Sequence, residues 1–175
     1  MNEPTLEEIN SARKQGLRPG VVVCIVNGEK KLLMFHKSEY SEWQIPQGSI
    51  ANKETPHEAI YREMMEELGE AVVKTFKDPV TYLGTESLEF PPQRHGVKEL
   101  QTDEGEEILM KGKKYYFYVI YSDIENINAQ ETEFDACFWV TAKEARYLAD
   151  ASKAVNKKQL ILNIISQLIE KNFLE

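Results

Sequence analysis

Three glutamates near the middle of the chain, Glu63, Glu66 and Glu67, have a spacing at which their carboxylates can act together. On a helix, residues at i, i+3 and i+4 fall within an arc of about 100°, so the three side chains face one direction. Like charges this close destabilise an isolated helix. A divalent cation would offset the repulsion, and carboxylate oxygens are ligands that Mg²⁺ or Mn²⁺ prefers. The alternative is a solvated charged face, which is the usual meaning of clustered glutamates on a helix.

The helix that carries these glutamates has clear signals at both ends. Thr55 can cap its start, Pro56 suits the first helical position, and Glu58 completes a capping box. Gly69 is well placed to end the helix, because glycine adopts left-handed conformations that other residues rarely adopt. Together these signals predict a helix over residues 55–68.

The residues around the glutamates form a longer pattern. In chain order it consists of Gly48, Glu54, Arg62-Glu63-Met64, Glu66-Glu67 and Gly69. Every spacing resembles the Nudix box, the loop–helix–loop motif of the Nudix hydrolases, although Glu70 stands where the last position is usually aliphatic. The resemblance implies a Nudix fold, with a mixed β-sheet sandwiched between α-helices. It also implies hydrolysis of a nucleoside diphosphate linked to another group.

The resemblance assigns roles to the residues of the box. It implies that Glu63, Glu66 and Glu67 bind the metal ion, that the carbonyl oxygen of Gly48 is a further ligand, and that an Arg62–Glu54 ion pair ties the loop to the helix. Water can attack a pyrophosphate only if the charge that develops on its oxygens is neutralised, which Mg²⁺ can do. A glutamate that is not fully engaged by metal can accept the proton of the water, and the sequence leaves open which one.

Segments outside the box resemble one branch of the family, which contains bacterial RNA 5′-pyrophosphohydrolases and plant-type dinucleoside tetraphosphate hydrolases. These segments are 17–19 (LRP), 43–48 (WQIPQG), 111–117 (KGKKYYF) and 131–140 (ETEFDACFWV). By this resemblance Glu133 is an additional metal ligand and catalytic carboxylate. The resemblance also places a set of side chains near the substrate, namely Arg18, Lys37, Gln47, Lys113 and Lys153. For Lys113 the alternative is an ordinary solvated position at the start of a strand.

Departures from that branch bear on the substrate. His36-Lys37 stands where the RNA enzymes have two arginines, Ser49 replaces a second glycine, and residues 89–110 are acidic where the branch is more basic. An acidic lid would repel an RNA chain but tolerate a compact dinucleotide whose charge is masked by metal. We therefore predict cleavage of a dinucleoside polyphosphate such as diadenosine tetraphosphate.

Three other functions stay open at this point. One is action on an RNA 5′-triphosphate end, and another is action on ADP-ribose or a nucleoside triphosphate. The third is a nucleotide-sensing module without catalysis, against which the intact glutamates and Arg62 argue.

Composition limits the partners and the compartment. The 175 residues include 29 acidic and 21 basic side chains, for a net charge of −8, which argues against binding long nucleic acid by charge alone. No apolar run approaches the ~20 residues of a membrane span, and residues 1–13 lack the core of a signal peptide. Cys24 and Cys137 lie in apolar stretches typical of buried free thiols. We expect a cytoplasmic protein and leave its oligomeric state open.

The rest of the pattern predicts a single domain of class α/β (α+β) over residues 1–175. Apolar runs predict strands at 20–27, 32–35, 114–121 and 136–140, and one or two strands over 72–88 with a break near Asp78-Pro79. Helices are predicted from a capping box at Thr141 and Glu144 and from an apolar stripe over 156–171. Residues 1–16 are predicted as a polar arm with room for a short helix, and 89–112 as a long acidic loop.

Overall fold

A seven-stranded mixed sheet forms the centre of the computed structural model, which describes residues 1–175. The strands are β1 (Leu17–Val26), β2 (Leu32–Lys37), β3 (Glu42–Gln44), β4 (Gln47–Ser49), β5 (Phe76–Glu89), β6 (Glu99–Gln101), β7 (Glu107–Leu109), β8 (Gly112–Ser122) and β9 (Ala136–Val140). The helices are α1 (Leu6–Lys14), α2 (Pro56–Leu68), α3 (Glu70–Val73), α4 (Ala142–Asp150) and α5 (Val155–Glu170). None of these helices has the length and apolar character that crossing a bilayer requires.

The main sheet has the strand order β3-β2-β1-β8-β5, with β4 paired to β1 and β9 paired to β2. β1 and β8 run parallel, from Leu17 opposite Gly112 to Val26 opposite Tyr121. The other pairs are antiparallel. β6 and β7 form a separate two-stranded ribbon. The mixed sheet with helices on both faces confirms the predicted fold class.

Strand β1 contributes to both hydrophobic cores, because successive side chains of a strand point to opposite faces. Val22 and Cys24 belong to the core that includes the buried residues of α4 and α5. Val21 and Val23 belong to the core that includes the buried residues of α1 and α2. With both faces covered, β1 is continuously apolar from Val21 to Val26 rather than alternating, as expected for a central strand.

The amino-terminal segment 1–16 differs from the predicted polar arm. Its helix α1 begins with a capping box between Thr5 and Glu8, and it buries Ile9, Ala12 and Arg13 against the sheet. A nine-residue helix with so few apolar residues gives only a weak periodic signal, and its capping box carries more information than its hydrophobic pattern.

The segment 89–112 was predicted as a long acidic loop, and this is wrong. It contains a 3₁₀ turn at Pro92–Arg94 and the ribbon formed by β6 and β7. Strands of three residues are too short to show an alternating pattern, which is why the sequence does not reveal them.

The strand predicted over 72–88 begins later, since Val72 and Val73 belong to α3. β5 is one strand whose register shifts between Lys77 and Thr81. The predicted break at Asp78-Pro79 lies inside this shift, where proline has no N–H to donate to the ladder.

Candidate active site

Helix α2 holds the three glutamates at the edge of its buried face. Its start is the predicted capping box, in which Glu58 accepts from the Thr55 amide at 2.8 Å and donates its own amide to the Thr55 hydroxyl at 3.2 Å. Ile60, Met64 and Leu68 are buried in the core under the helix. The carboxylates therefore project from the flank of the helix that the core does not use. Glu63 is mostly buried, Glu67 is half-buried and Glu66 is exposed.

Helix α2 ends at Gly69, whose φ of +86° and ψ of 168° lie in a region that glycine alone adopts readily. This conformation lets the chain turn directly from α2 into α3. The predicted helix end is confirmed, with an extended rather than a left-handed helical geometry.

Strand β4 brings Gly48 against Glu63. A Cβ at position 48 would lie 2.1 Å from Cδ of Glu63, so any side chain there would displace the carboxylate. A Cβ at Gly20, on the neighbouring strand β1, would lie 2.9 Å from the carbonyl oxygen of Gly48. The two glycines thus leave room for a cleft of about 200 Å³, which is also lined by Arg18, Gln47 and Lys113.

Arg62 connects the loop before α2 to the helix itself. Its Nε and Nη2 donate to the two carboxylate oxygens of Glu54 at 2.7 and 2.9 Å, a bidentate ion pair. Nη2 also donates to the carbonyl of Ser49 at 2.8 Å, and Nη1 donates to Glu63 at 2.7 Å. The guanidinium lowers the pKa of Glu54, and Glu54 in turn raises the pKa of Arg62.

Glu67 is the most perturbed carboxylate in the molecule. Its Oε2 is buried and has no hydrogen-bond partner. Burial raises the pKa of Glu67 to about 8, and the charges of Glu133 and Glu63 add to the shift while Lys37 opposes it. The backbone joins the same residues, since the Glu133 amide donates to the Glu67 carbonyl at 2.9 Å. Lys37 Nζ lies 3.7 Å from a carboxylate oxygen of Glu133.

The donor set suits a hard divalent cation, because a buried carboxylate oxygen without a partner is what such an ion would satisfy. No group of three or more His, Cys, Asp or Glu side chains converges as a closed metal site in this geometry. Glu63 is held by Arg62, and Glu133 lies beside Lys37. The assignment of Gly48, Glu63, Glu66, Glu67 and Glu133 as metal ligands therefore stays a prediction.

The raised pKa of Glu67 predicts that the free energy of unfolding of the metal-free protein depends on pH. The folded pKa of about 8 exceeds the ordinary value of 4.5, so the free energy of unfolding falls as pH rises between these values. We expect Glu67→Gln to escape this loss and to be more stable than wild type by about 1–3 kcal/mol at pH 8. The gain should vanish near pH 4.5. Thermal unfolding across this pH range in a chelator measures it, with the exposed Glu66→Gln as control. An equal gain at pH 5 and pH 8 would contradict the assignment.

A second cavity, of about 410 Å³, lies beside the cleft and shares Arg18, Lys113 and Tyr115 with it. Five cationic side chains and no acidic one line this cavity, and these are Arg18, Arg94, Lys98, Lys113 and Lys157. Burial lowers the pKa of Lys113, and the neighbouring positive charges lower it further. The Arg94 guanidinium lies 5.1 Å from the centre of the Phe90 ring, a cation–π arrangement. We call this the basic cavity.

No acidic residue of segment 89–112 lines the basic cavity, and two of them are bound by α1. Asp103 pairs with Arg13 of α1 at 3.2 Å, and Glu104 accepts from the Asn10 amide at 2.9 and 3.0 Å. Glu99, by contrast, lines a neighbouring pocket with Arg18 and Lys98, so an acidic lid over the substrate stays a prediction. The net charge of a segment does not say which of its side chains face the site.

The predicted substrate residues have separate positions. Arg18, Gln47 and Lys113 line the cleft beside Gly48. Lys37 lies at the end of β2, next to Glu133. Lys153 is exposed in the connection between α4 and α5 and lines neither cavity.

Three cations of the basic cavity, Arg94, Lys98 and Lys157, were not predicted. Arg94 and Lys98 are interspersed with acidic residues in the sequence, and Lys157 lies in the first turn of α5, where basic residues are common on solvated surfaces. The signal available in the sequence was the number of basic residues in these segments, counted without subtracting the acidic ones.

Comparison with known proteins identifies the family of the chain. Residues 16–162 match the family model described as NUDIX domain. The chain is 33% identical over 131 residues to the RNA pyrophosphohydrolase of Histophilus somni, covering 72% of this chain and 64% of that protein. It is 34% identical over 134 residues to the RNA pyrophosphohydrolase of Hydrogenovibrio crunogenus, covering 71% of this chain and 74% of that protein.

Solved structures agree in fold. The E. coli dihydroneopterin triphosphate pyrophosphohydrolase superposes with a TM-score of 0.57 at 21% identity, covering 85% of this chain and 97% of that one. The C. elegans Ap4A hydrolase superposes with a TM-score of 0.55 at 12% identity, covering 89% and 98% of the two chains. At these identities the likeness concerns the fold alone.

Proposed function

The chain belongs to the NUDIX domain family, and from that premise we propose that it is a pyrophosphohydrolase that acts on the 5′-triphosphate end of an RNA. The reaction is hydrolysis of a phosphoanhydride bond with Mg²⁺ or Mn²⁺ as cofactor. We place the activity in the cytoplasm, in keeping with two cysteines that are free thiols.

The basic cavity is the observation that supports RNA as the substrate. It adjoins the cleft that contains Gly48 and Glu63, and Arg18 and Lys113 line both spaces. A triphosphate in the cleft can thus continue into a space lined by positive charge. An RNA end has phosphodiesters in that position, which cations bind without reading the sequence. The curated relatives named RNA pyrophosphohydrolase support the same substrate.

In the mechanism that we propose, the chain holds the reacting groups in place. A bound divalent cation would neutralise the charge that develops on the phosphate oxygens. Glu63, Glu66, Glu67, Glu133 and the Gly48 carbonyl oxygen are the groups that would hold it. Arg18 and Lys113 orient the triphosphate, and Arg62 fixes Glu63 against Gly48. One of these glutamates, not fully engaged by the metal, would accept the proton of the attacking water.

A dinucleoside polyphosphate such as diadenosine tetraphosphate is the second candidate substrate. The basic cavity favours it in one respect, because Leu88, Phe90, Met110 and Tyr115 form an apolar wall that can accommodate a nucleobase. The argument that placed it first in the sequence analysis was an acidic lid, whereas no acidic side chain of segment 89–112 lines the cleft or the basic cavity.

The two candidates are distinguished by salt dependence. We expect kcat/KM for a short 5′-triphosphorylated RNA to exceed that for diadenosine tetraphosphate and to fall more steeply with salt. Lys98→Ala should lower the RNA value and reduce its slope on a log–log salt plot by about 0.7, the change for one phosphate contact on a single strand. The exposed Lys74→Ala, outside both cavities, is the matched control. Preference for diadenosine tetraphosphate, with equal slopes, would reverse the order of the candidates.

A further inference from the structure

Helix α1 lies before the residues that match the family model, yet its side chains contact the loop that leads into α2. Only residues 16–162 match that model, whereas α1 spans Leu6–Lys14. The loop, residues 49–54, carries Ser49 and Glu54, the two partners of Arg62. The contact between α1 and this loop therefore comes from a segment outside the matched residues.

Arg13 makes the contact. Only 3% of the residue is exposed, and its guanidinium is surrounded by acceptors. Nη2 donates to the carbonyl oxygens of Ile50 at 2.9 Å and of Ala51 at 2.8 Å. Nη1 donates to Asp103 at 3.2 Å. Because a buried guanidinium without partners is very unfavourable, these acceptors and Arg13 stabilise one another in a single arrangement.

Asp103, on the connection between β6 and β7, holds the next part of the loop. Its carboxylate accepts from the Asn52 side chain at 2.9 Å and from the Lys53 amide at 3.1 Å. Lys53 has a φ of +61°, a backbone conformation that residues other than glycine adopt at an energetic cost. The Asp103 amide itself donates to Asn10 of α1 at 2.8 Å. The β6–β7 ribbon and helix α1 therefore both bind the loop and hold it in place.

Two arginines thus bind three consecutive carbonyl groups of the loop. Arg62 donates to the carbonyl oxygen of Ser49, and Arg13 donates to those of Ile50 and Ala51. We propose that Arg13 is a positioning residue of the active site, acting with Asp103 to fix the 49–54 loop so that Glu54 and Ser49 can orient Arg62. This inference rests on the proposed function only in naming the loop as part of a catalytic site.

The path to the reacting groups is short. The loop presents Glu54 to Arg62, and Arg62 holds Glu63 at 2.7 Å, next to Gly48. Displacing catalytic groups by about 1 Å can lower a rate by up to 100-fold. Loss of Arg13 should therefore lower kcat, while substrate binding in the cleft and the basic cavity, to which Arg13 contributes no lining, changes little.

The test combines hydrogen exchange with kinetics on four variants. In Arg13→Ala we expect amides 50–54 to exchange at least about 10-fold faster, while the strands of the main sheet keep their protection. We expect kcat to fall about 10-fold with KM within twofold. Asp103→Asn should show a smaller change in the same amides, and Arg13→Lys should recover part of the loss. Lys14→Ala, which removes only the exposed Lys14–Glu104 ion pair, is the control and should match wild type.

The outcomes separate this inference from the proposed function. Hydrogen exchange needs no substrate, so it decides whether Arg13 holds the loop even if neither nucleotide is hydrolysed. Normal protection of amides 50–54 in folded Arg13→Ala or Asp103→Asn would overturn the proposal. A faster-exchanging loop with unchanged kcat would also overturn it, because the loop would then be held without consequence for the site. If Arg13→Ala fails to fold, Arg13→Lys and Asp103→Asn apply the same two criteria.

Discussion

We expect kcat of Glu67→Gln to be about 100-fold or more below that of wild type, because the substitution removes a carboxylate charge from the proposed metal site. Glutamine keeps the size of the side chain and a carbonyl oxygen, so the helix and its buried face should be unchanged. The buried Oε2 of Glu67 has no protein partner, which makes this the oxygen with most to gain from a cation. Steady-state kinetics over a wide Mg²⁺ titration measures the effect.

The control for Glu67 is Glu70→Gln, an exposed position one turn further along. Glu70 stands at the one box position that departs from the Nudix pattern, and we expect its replacement to leave kcat unchanged. Glu66→Gln should behave like Glu67→Gln. Rates close to wild type for both Glu66 and Glu67 variants across the titration would show that the metal assignment is wrong.

The second large effect is expected at Arg62. Arg62→Ala removes the bidentate pair with Glu54 and the bonds to Ser49 and Glu63 at once, leaving Glu54 with only the Ala51 amide as donor and the Ser49 carbonyl without its arginine. We expect kcat to fall by about 10- to 100-fold, as a displaced catalytic group does. Hydrogen exchange over residues 48–55 should become faster in parallel, since the loop loses its anchor on α2.

Arg146→Ala is the matched control for Arg62, because Arg146 is an exposed arginine of α4 outside both cavities. It should match wild type in rate and in exchange. If Arg62→Ala loses activity while residues 48–55 keep their protection, Arg62 acts directly on the reacting groups and the positioning role is wrong.

Local signals in the sequence predicted the helix of the box well. Thr55, Pro56, Glu58 and Gly69 define the ends of α2 through contacts within a few residues, and such contacts can be read from spacing. The same is true of the capping box at Thr141 and Glu144, which begins α4. The last helix was predicted one residue later at each end than α5 in the structure.

What the sequence could not show depends on contacts between distant segments. The partners Arg13 and Asp103 are 90 residues apart, and nothing in either neighbourhood indicates the pairing. Asp103 and Glu104 therefore counted as acidic surface, although they are bound by α1. Arg94 and Lys98 acquire their meaning only beside Arg18, Lys113 and Lys157, which come from β1, β8 and α5.

The basic cavity has a consequence for how a substrate reaches the protein. The chain as a whole carries a net charge of −8, so most approach directions are unfavourable to a polyanion. Screening limits each charge to a range of about 8 Å at physiological salt, within which the cavity presents Arg18, Arg94, Lys98 and Lys113, while Lys157 is paired with Glu42 at 3.2 Å. A duplex laid along the acidic surface gains nothing, whereas a free terminus can enter the one attractive opening. For the RNA substrate that we propose, we therefore expect an end-on encounter, in which exposed 5′ ends are selected before any bond is cleaved.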